Sequence, residues 1–414
     1  MMVIDECEEK TRKKDGKSDM KFDFDRQIDR KNTRSYKWDQ LERLFGSPDI
    51  LPLWVADMDF ESPPAVREAL VKRAGHGVYG YSVRTGEYFD AITGWYRRRH
   101  NWELKPDWII DSPGVVTSLS IAVDAFSEPG APVILQSPVY YPFYDVIRLN
   151  GRKVAKNPLI LKDGKYEMDY GHLEDLMENG AKLLLLCNPH NPGGRVWSRP
   201  ELERLAELCL KHGVTVVSDE IHCDLALPGH RHTPFASLSE ETASITLTCL
   251  AATKTFNLPG LQTSFVVASN PEIHKVFDRR IKTLSLHMSG FFAQEAVIAA
   301  YNSGEEWLDE LLLYIKGNVD FAVGYISRHI PGIKPMEPEG SYLLWVDCRS
   351  LGLDAAAIKD LMYNKAGVAF NEGSVYGPEG EGFLRINLGC PRATLERALQ
   401  RFGEAVGRFA GRLP

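Results

Sequence analysis

The sequence has no long hydrophobic run, no paired-cysteine motif and no excess of positive charge. Its longest uninterrupted apolar stretches, such as 183–187, are far shorter than the roughly 20 residues of a membrane-spanning helix. The seven cysteines are an odd number without a C-x-x-C pair, which predicts reduced thiols rather than a disulfide framework. The net charge of −7 gives no indication of a nucleic-acid or anionic-membrane partner. These absences predict a cytoplasmic protein.

The 414 residues are 44% hydrophobic and 25% charged, which is the balance of a globular protein with a large core. This composition excludes intrinsic disorder, a collagen-like fibre and a small disulfide scaffold. Residues 1–19 are highly charged and lack the apolar segment of a secretory signal. We expect them to form a disordered extension.

Short apolar runs alternate with amphipathic segments between about 113 and 269. One of these segments reads as a helix with Pro200 in its first turn and Gly213 as its stop. Unalternated apolar runs separated by helices predict a mostly parallel sheet covered by helices on both faces. The apolar runs lie at 131–136, 182–188, 214–220, 244–250 and 264–269.

The C-terminal part predicts a smaller α+β domain. Its apolar segments at 341–347 and 383–389 are interspersed with helical patterns near 354–366 and from about Arg392. The predicted organisation is an N-terminal segment packing with the small domain (20–64), a large α/β domain (65–310) and a small domain (311–414).

Polar side chains follow three successive strands of the predicted sheet. Asn191 follows the run 182–188, Asp219 lies near the end of 214–220, and Lys254 comes after 244–250. Ligands of open α/β sheets bind at the carboxyl ends of the strands, where these groups converge. An amine that forms an imine and a carboxylate that keeps a ring nitrogen protonated are what pyridoxal phosphate requires.

A phosphate site is predicted further upstream. Gly114 precedes a predicted helix, so that the first amides of this helix, at Val115 and Val116, can face an anion. Thr253, beside the lysine, adds a hydroxyl.

Each residue taken alone has a simpler interpretation. A lysine such as Lys254 is usually on the surface, and Asp219 alone reads as a turn residue or helix cap. His222 alone is typical of a satisfied, partly buried histidine. His230 and His232 resemble metal ligands, but their Pro/Gly-rich segment predicts a solvent loop and no metal site. The joint occurrence of the groups at strand ends carries the prediction.

These residues resemble pyridoxal-phosphate enzymes of fold type I, the class I/II aminotransferase superfamily. The similarity runs from about Phe22 over nearly the whole chain, and the branch it most resembles is that of the MalY/PatB-type cystathionine β-lyases. The motifs are KWDQ (37–40), LWVADMDF (53–60), HGVYGYS (76–82), PVYYPF (138–143), LLCNPHNPGGRVW (185–197), VVSDEIHCDL (216–225), KTFNLPGL (254–261) and LRINLGCPR (384–392).

The resemblance implies a role for each matching position. Lys254 would bind the cofactor covalently and move the substrate α-proton, and Asp219 would pair with the ring nitrogen. Asn191 and His222 would hydrogen-bond the phenolic oxygen, and Tyr140 would stack on the ring. The phosphate would be held by the groups at Gly114, Val115, Val116 and Thr253, and by Tyr81 from the partner subunit of a homodimer.

For the substrate, the resemblance implies that Arg385 binds the α-carboxylate beside the backbone of Ala56. Two positions depart from the superfamily pattern. Ala251 replaces a serine of the phosphate signature, and Gln262 replaces an arginine that many aminotransferases carry; the second departure is familiar in the lyase branch.

The expected function is a carbon–sulfur β-lyase that cleaves cystathionine or cysteine S-conjugates to a thiol, pyruvate and ammonia. An aminotransferase shares every residue named for the site and is the first alternative. A regulatory binding protein with a vestigial enzyme site is the second. An intact Lys254, Asp219 and Arg385 argues against that second alternative, because a surface interaction requires none of them.

Overall fold

The computed structural model describes residues 20–288 and 290–410. The predicted disordered extension at 1–19 lies outside the described residues.

The helices are α1 (Leu41–Phe45), α2 (Pro64–Gly75), α3 (Gly86–His100), α4 (Val115–Phe126), α5 (Pro142–Leu149), α6 (Tyr170–Glu178), α7 (Arg199–His212), α8 (Glu240–Ser244), α9 (Ala252–Thr255), α10 (Pro271–Thr283), α11 (Phe291–Ser303), α12 (Glu305–His329), α13 (Ala355–Asp360) and α14 (Arg392–Ala410). Short 3-10 turns are Pro106–Trp108, Cys223–Leu225, Phe235–Ser237, Pro259–Leu261, Arg349–Leu351, Gly373–Tyr376 and Pro378–Gly380, and a π-helical turn, Leu361–Ala366, follows α13.

The strands are β1 (Leu51–Pro52), β2 (Ile109–Ser112), β3 (Pro132–Leu135), β4 (Lys153–Lys156), β5 (Ile160–Lys162), β6 (Lys165–Glu167), β7 (Leu183–Cys187), β8 (Thr215–Asp219), β9 (Thr246–Leu250), β10 (Ser264–Val267), β11 (Lys334–Met336), β12 (Leu343–Asp347), β13 (Val368–Ala369), β14 (Asn371–Glu372) and β15 (Phe383–Asn387).

A seven-stranded sheet forms the centre of the large α/β part, in the order β2-β10-β9-β8-β7-β3-β4. The pairs from β9 through β8, β7 and β3 to β4 are parallel, whereas β10 is antiparallel to both of its neighbours. The mostly parallel sheet predicted from the apolar runs is thus confirmed.

Both faces of this sheet are buried, as the unalternated runs predict. Along β7, Leu183 and Leu185 belong to the core that includes residues of α4, whereas Leu184 and Leu186 belong to the core that includes residues of α7. Side chains alternate between the faces of a strand, so a run that is apolar at every position must be covered on both sides.

Helix α7 shows how local sequence sets the element bounds. Ser198 and Glu201 form a reciprocal capping box at its start, and Gly213 ends it at a positive φ of 61°. The start and the stop lie where Pro200 and Gly213 predict them.

A second, four-stranded antiparallel sheet in the order β11-β12-β15-β14 forms the C-terminal part. The N-terminal segment joins this part, because β1 pairs in parallel with β13 through Leu51 and Val368. The predicted division at 310/311 falls within α12, which runs from Glu305 to His329. The domain bounds stay a prediction.

No helix within 20–288 and 290–410 is long and apolar enough to span a bilayer. Six of the seven cysteines fall in the described part of the chain, where they are free and buried.

Candidate active site

A cavity of about 370 Å³ lies at the carboxyl ends of the parallel strands, next to the start of α4. Ten of the predicted site residues line it together: Ala56, Gly114, Val115, Val116, Tyr140, Asn191, Asp219, His222, Thr253 and Lys254. The cavity therefore lies where the topology of an open α/β sheet places a ligand.

Lys254 lies on the one-turn helix α9, directly after β9. Its Nζ donates a hydrogen bond to the carbonyl oxygen of Ala56, which also accepts the hydroxyl of Tyr342 at 3.1 Å. Burial lowers the pKa of Lys254 to about 8, and the positive charge of Arg385 acts in the same direction. The amine is therefore a usable base near neutral pH.

Asp219 ends β8 and is only 5% exposed. Its Oδ1 accepts the amide of Ile221 at 3.1 Å, and it forms no ion pair within 4.0 Å in the described part of the chain. Burial raises the pKa of Asp219 to about 7, and the neighbouring charge of Glu220 adds to this. A buried carboxylate in this state favours a cationic partner.

Arg385, on β15, adjoins the cavity through Asn191. Its guanidinium donates to Asn191 Oδ1 at 3.1 Å, to Asn371 Oδ1 at 2.6 Å and to the carbonyl of Trp54 at 2.7 Å. Among residues 20–288 and 290–410, its buried Nε finds no hydrogen-bond partner. Neither Asn371 nor Trp54 was predicted as a site residue from the sequence, although Trp54 lies in the motif LWVADMDF.

Two aromatic groups line the same cavity. Burial lowers the pKa of His222 to about 3, helped by the positive charges of Lys254 and Arg385, so this imidazole is neutral. Burial raises the pKa of Tyr140 to about 12, which keeps its hydroxyl protonated.

The anion end of the cavity is the start of α4. Gly114 precedes this helix, and the amides of Val115, Val116 and Thr117 lie in the first turn, where no intrahelical acceptor exists. Their partial positive charge and the helix dipole favour a phosphate. Gln262, which replaces the arginine of many aminotransferases, also lines the cavity.

These groups fit pyridoxal phosphate. An amine, a buried carboxylate that pairs with no cation of the described residues, free helical amides and a tyrosine ring line one cavity, and the cofactor presents a carbonyl carbon, a ring nitrogen, a phosphate and an aromatic face. Lys254, Asp219, the start of α4 and Tyr140 would hold these four parts in that order.

Tyr81 does not reach this cavity within one protomer. It is 96% exposed, and it lies on a segment whose residues Val78 and Val83 are also largely exposed. Its predicted role in a partner's site stays a prediction.

The loop that carries Ala56 is held by buried charges. Arg30 donates to the carboxylates of Asp57 and Asp59 at 2.7 Å each, and Lys37 donates to Asp59 at 2.7 Å. Burial alone would raise the pKa of Asp57, but the hydrogen bond from Arg30 and the charge of Lys37 hold it below its ordinary value. The negative charge of Asp57 in turn raises the pKa of Lys254, which opposes the effect of burial.

A second buried carboxylate, that of Asp224, follows β8 five residues after Asp219. Asp224 accepts hydrogen bonds from Trp95 Nε1, His100 Nε2 and Thr255 Oγ1, at 2.7–3.0 Å. Thr255 is the residue after Lys254, so this carboxylate anchors the end of α9.

The solvent loop predicted around His230 and His232 is wrong for His232. This side chain is 3% exposed, and its Nε2 pairs with Glu220 Oε2 at 2.8 Å. The physical reason is that a fully buried carboxylate needs donors, and this need outweighs the local Pro/Gly composition. His230 is exposed, as predicted.

A model of the aminotransferase class I and II family matches residues 48–402, and the chain belongs to this family. It is 48% identical over 386 residues to cystathionine beta-lyase PatB of Bacillus subtilis (strain 168), covering 93% of this chain and 100% of PatB. It is 35% identical over 389 residues to protein MalY of Escherichia coli (strain K12), covering 93% and 99% of the two chains.

A similar solved structure supports the same family assignment. The crystal structure of cystalysin from Treponema denticola, which contains a pyridoxal 5'-phosphate cofactor, matches with a TM-score of 0.91 and 38% identity. The match covers 94% of this chain and 100% of cystalysin. The family resemblance and the fold class inferred from the sequence are confirmed.

Proposed function

We propose that this protein is a pyridoxal-phosphate-dependent carbon–sulfur β-lyase. Its substrates are cystathionine and other cysteine S-conjugates, which react with water to give a thiol, pyruvate and ammonia. The convergence of Lys254, Asp219 and the start of α4 on one cavity, with Arg385 beside it, supports a pyridoxal-phosphate enzyme that acts on an amino acid. The observation that carries the choice of a lyase over an aminotransferase is the 48% identity to cystathionine beta-lyase PatB over the whole length of that protein.

Pyridoxal phosphate, when bound, supplies an electron sink for the charge that develops at the substrate Cα. Arg385 binds the α-carboxylate, and its unpartnered Nε is a free donor for this purpose. Lys254 takes the proton from Cα, for which an amine of pKa about 8 is suited. Asp219 holds a proton at the ring nitrogen through its charge.

The remaining residues fix the geometry. Trp54 and Asn371 hold the guanidinium of Arg385, so that it need not reorganise when substrate arrives. The carbonyl of Ala56 holds the amine of Lys254 until a ligand replaces this contact.

The reaction is tested with purified protein, pyridoxal phosphate and L-cystathionine in the absence of any keto acid. We expect pyruvate and free thiol in equal amounts, and a loss of at least about 1,000-fold in Lys254→Ala. Lys282→Ala is a matched control, because Lys282 is an exposed lysine of α10 paired with Asp278. Amino transfer only after addition of a keto acid would overturn the lyase assignment in favour of an aminotransferase.

We also propose a homodimer in which Tyr81 of each subunit contacts the phosphate in the other subunit's site. Its support is the run of exposed apolar side chains around Tyr81, which are those of Val78, Tyr79 and Val83. Two inactive variants, Tyr81→Ala and Lys254→Ala, should regain activity when their subunits are mixed, because half of the heterodimer sites then contain neither change. No regain in a verified heterodimer would contradict the shared site.

A further inference from the structure

Ser341 has a backbone conformation that is uncommon for its residue type. Its φ of 71° lies in the left-handed region, which a β-carbon disfavours. The amide of Ser341 donates to the carbonyl of Leu225 at 2.8 Å, and its neighbour Gly340 forms an antiparallel bridge with Ala226. Pairing with the segment that follows His222 therefore stabilises this strained backbone conformation.

The side chain of Ser341 joins it to His222. Ser341 Oγ lies 3.2 Å from Nδ1 of His222, and the two residues are 3% and 4% exposed. The hydroxyl has no other hydrogen-bond partner among residues 20–288 and 290–410. A buried hydroxyl proton is satisfied here only when it is donated to Nδ1. The imidazole proton is then on Nε2.

Burial keeps the ring of His222 neutral, and the positive charges of Lys254 on α9 and Arg385 on β15 act in the same direction. The other groups that face it are Tyr342, which packs edge-on with 6.2 Å between the ring centroids, and Asp219, which lines the same cavity. A neutral imidazole carries one proton, so its neighbours decide which nitrogen is the donor.

We propose that Ser341 is a positioning residue: its hydroxyl keeps His222 in the Nε2-protonated form, so that His222 offers an N–H donor to an anionic oxygen of the ligand in the cavity. The proposal rests on the proposed function and on the role that the family resemblance implies for His222, in which this atom is the phenolic oxygen of pyridoxal phosphate. A donated hydrogen bond stabilises a charged oxygen and lowers its basicity. Ser341, which lies just before β12 of the second sheet, would thereby act through His222 on a cofactor bound at the first sheet.

The first test is a pH titration of the visible absorbance of the bound cofactor. Ser341→Ala removes the hydroxyl, so the phenolic oxygen becomes more basic. The pH midpoint of the absorbance change should then rise by about 0.5–1 pH unit. Ser341→Gly also removes the hydroxyl but relieves the positive φ, and we expect the same rise. An unchanged midpoint in Ser341→Ala, or a wild-type midpoint in Ser341→Gly, overturns the proposal.

A double-variant cycle tests the route through the histidine. His222→Phe removes the donor and raises the midpoint, and adding Ser341→Ala to it should change the midpoint no further. An additional rise in the double variant would show that Ser341 acts by another route.

The second test does not need the cofactor. Histidine labelled with ¹⁵N in the apoprotein reports which ring nitrogen carries the proton, and His222→Gln identifies the signal. We expect Nε2–H in the wild type and a mixture of tautomers in Ser341→Ala; Nδ1–H in the wild type overturns the proposal. Failure of the wild type to bind pyridoxal phosphate would instead contradict the proposed function, and the tautomer measurement would still stand.

Discussion

Asp219 and Asp224 are buried carboxylates only five residues apart, but the protein treats them in opposite ways. Asp219 accepts one amide N–H, and burial raises its pKa to about 7. Burial alone would also raise the pKa of Asp224, but hydrogen bonds from His100, Thr255 and Trp95 outweigh it and hold the pKa below its ordinary value. Burial alone therefore does not mark a functional carboxylate; the number of donors that the protein supplies does.

The difference follows from what faces each group. Asp219 lines the cavity, where a ligand can provide the missing positive charge, whereas Asp224 is enclosed by α3 and the end of α9. One carboxylate is thus left for a cofactor, and the other fixes the helix that carries Lys254. Four experiments test this difference between Asp219 and Asp224.

The largest effect is expected on activity in Asp219→Asn. An amide cannot hold a proton at the cofactor ring nitrogen by its charge, so kcat/KM should fall by about 100- to 1,000-fold. The free energy of unfolding of the apoprotein should not fall, because the change removes a buried charge. Steady-state pyruvate formation measures kcat/KM, and urea denaturation measures the free energy of unfolding. A loss of unfolding free energy as large as the loss of transition-state stabilisation would contradict the contrast between Asp219 and Asp224.

Asp224→Asn, in contrast to Asp219→Asn, should lower the free energy of unfolding, by about 3 kcal/mol. The amide group that replaces one oxygen would face donors from Trp95, His100 and Thr255. Urea denaturation of the apoprotein measures this loss. A loss below about 1 kcal/mol would mean that the three hydrogen bonds are not needed to hold this carboxylate.

The pH dependence of stability should separate the same two residues. The folded-state pKa of Asp219 lies above its ordinary value of 3.8, so the folded apoprotein binds this proton more tightly than the unfolded chain. The stabilisation is present at low pH and is lost as the pH rises towards 7, by roughly 2 kcal/mol between pH 5 and pH 7.

The measurement is the free energy of unfolding of the wild-type apoprotein minus that of Asp219→Asn at several pH values. The same difference taken with Asp224→Asn should be flat over this range, because the pKa of Asp224 is shifted downward from 3.8. A flat profile for Asp219 would show that its carboxyl is not shifted towards neutrality.

The smallest effect is expected at an exposed carboxylate. Glu203 pairs with Arg199 at 3.0 Å one turn away on α7, and both side chains are about half exposed. Glu203→Gln should change the free energy of unfolding by no more than about 0.5 kcal/mol, because solvent screens the pair. A larger loss in urea denaturation would indicate that carboxylate burial matters less than the comparison of Asp219 with Asp224 implies.

The ends of the strands and the groups that follow them could be predicted from the sequence. Unalternated apolar runs predicted β7, β8 and β9, and the positions of Asn191, Asp219 and Lys254 after those runs placed them at one edge of the sheet. This prediction succeeds because a buried parallel strand is a run of consecutive apolar residues, and the residues that follow it lie at its carboxyl end.

Tertiary structure alone decided the contacts that tune these groups. The carbonyl of Ala56 on Lys254, the hydroxyl of Ser341 on His222 and the carbonyl of Trp54 on Arg385 join residues 119 to 331 positions apart. The residues next to His232 in the sequence predicted that it is exposed. It is buried instead, because the buried carboxylate of Glu220 requires a hydrogen-bond donor. Local propensity contains no information about such pairs, because they exist only when distant segments pack and their buried polar atoms must find partners.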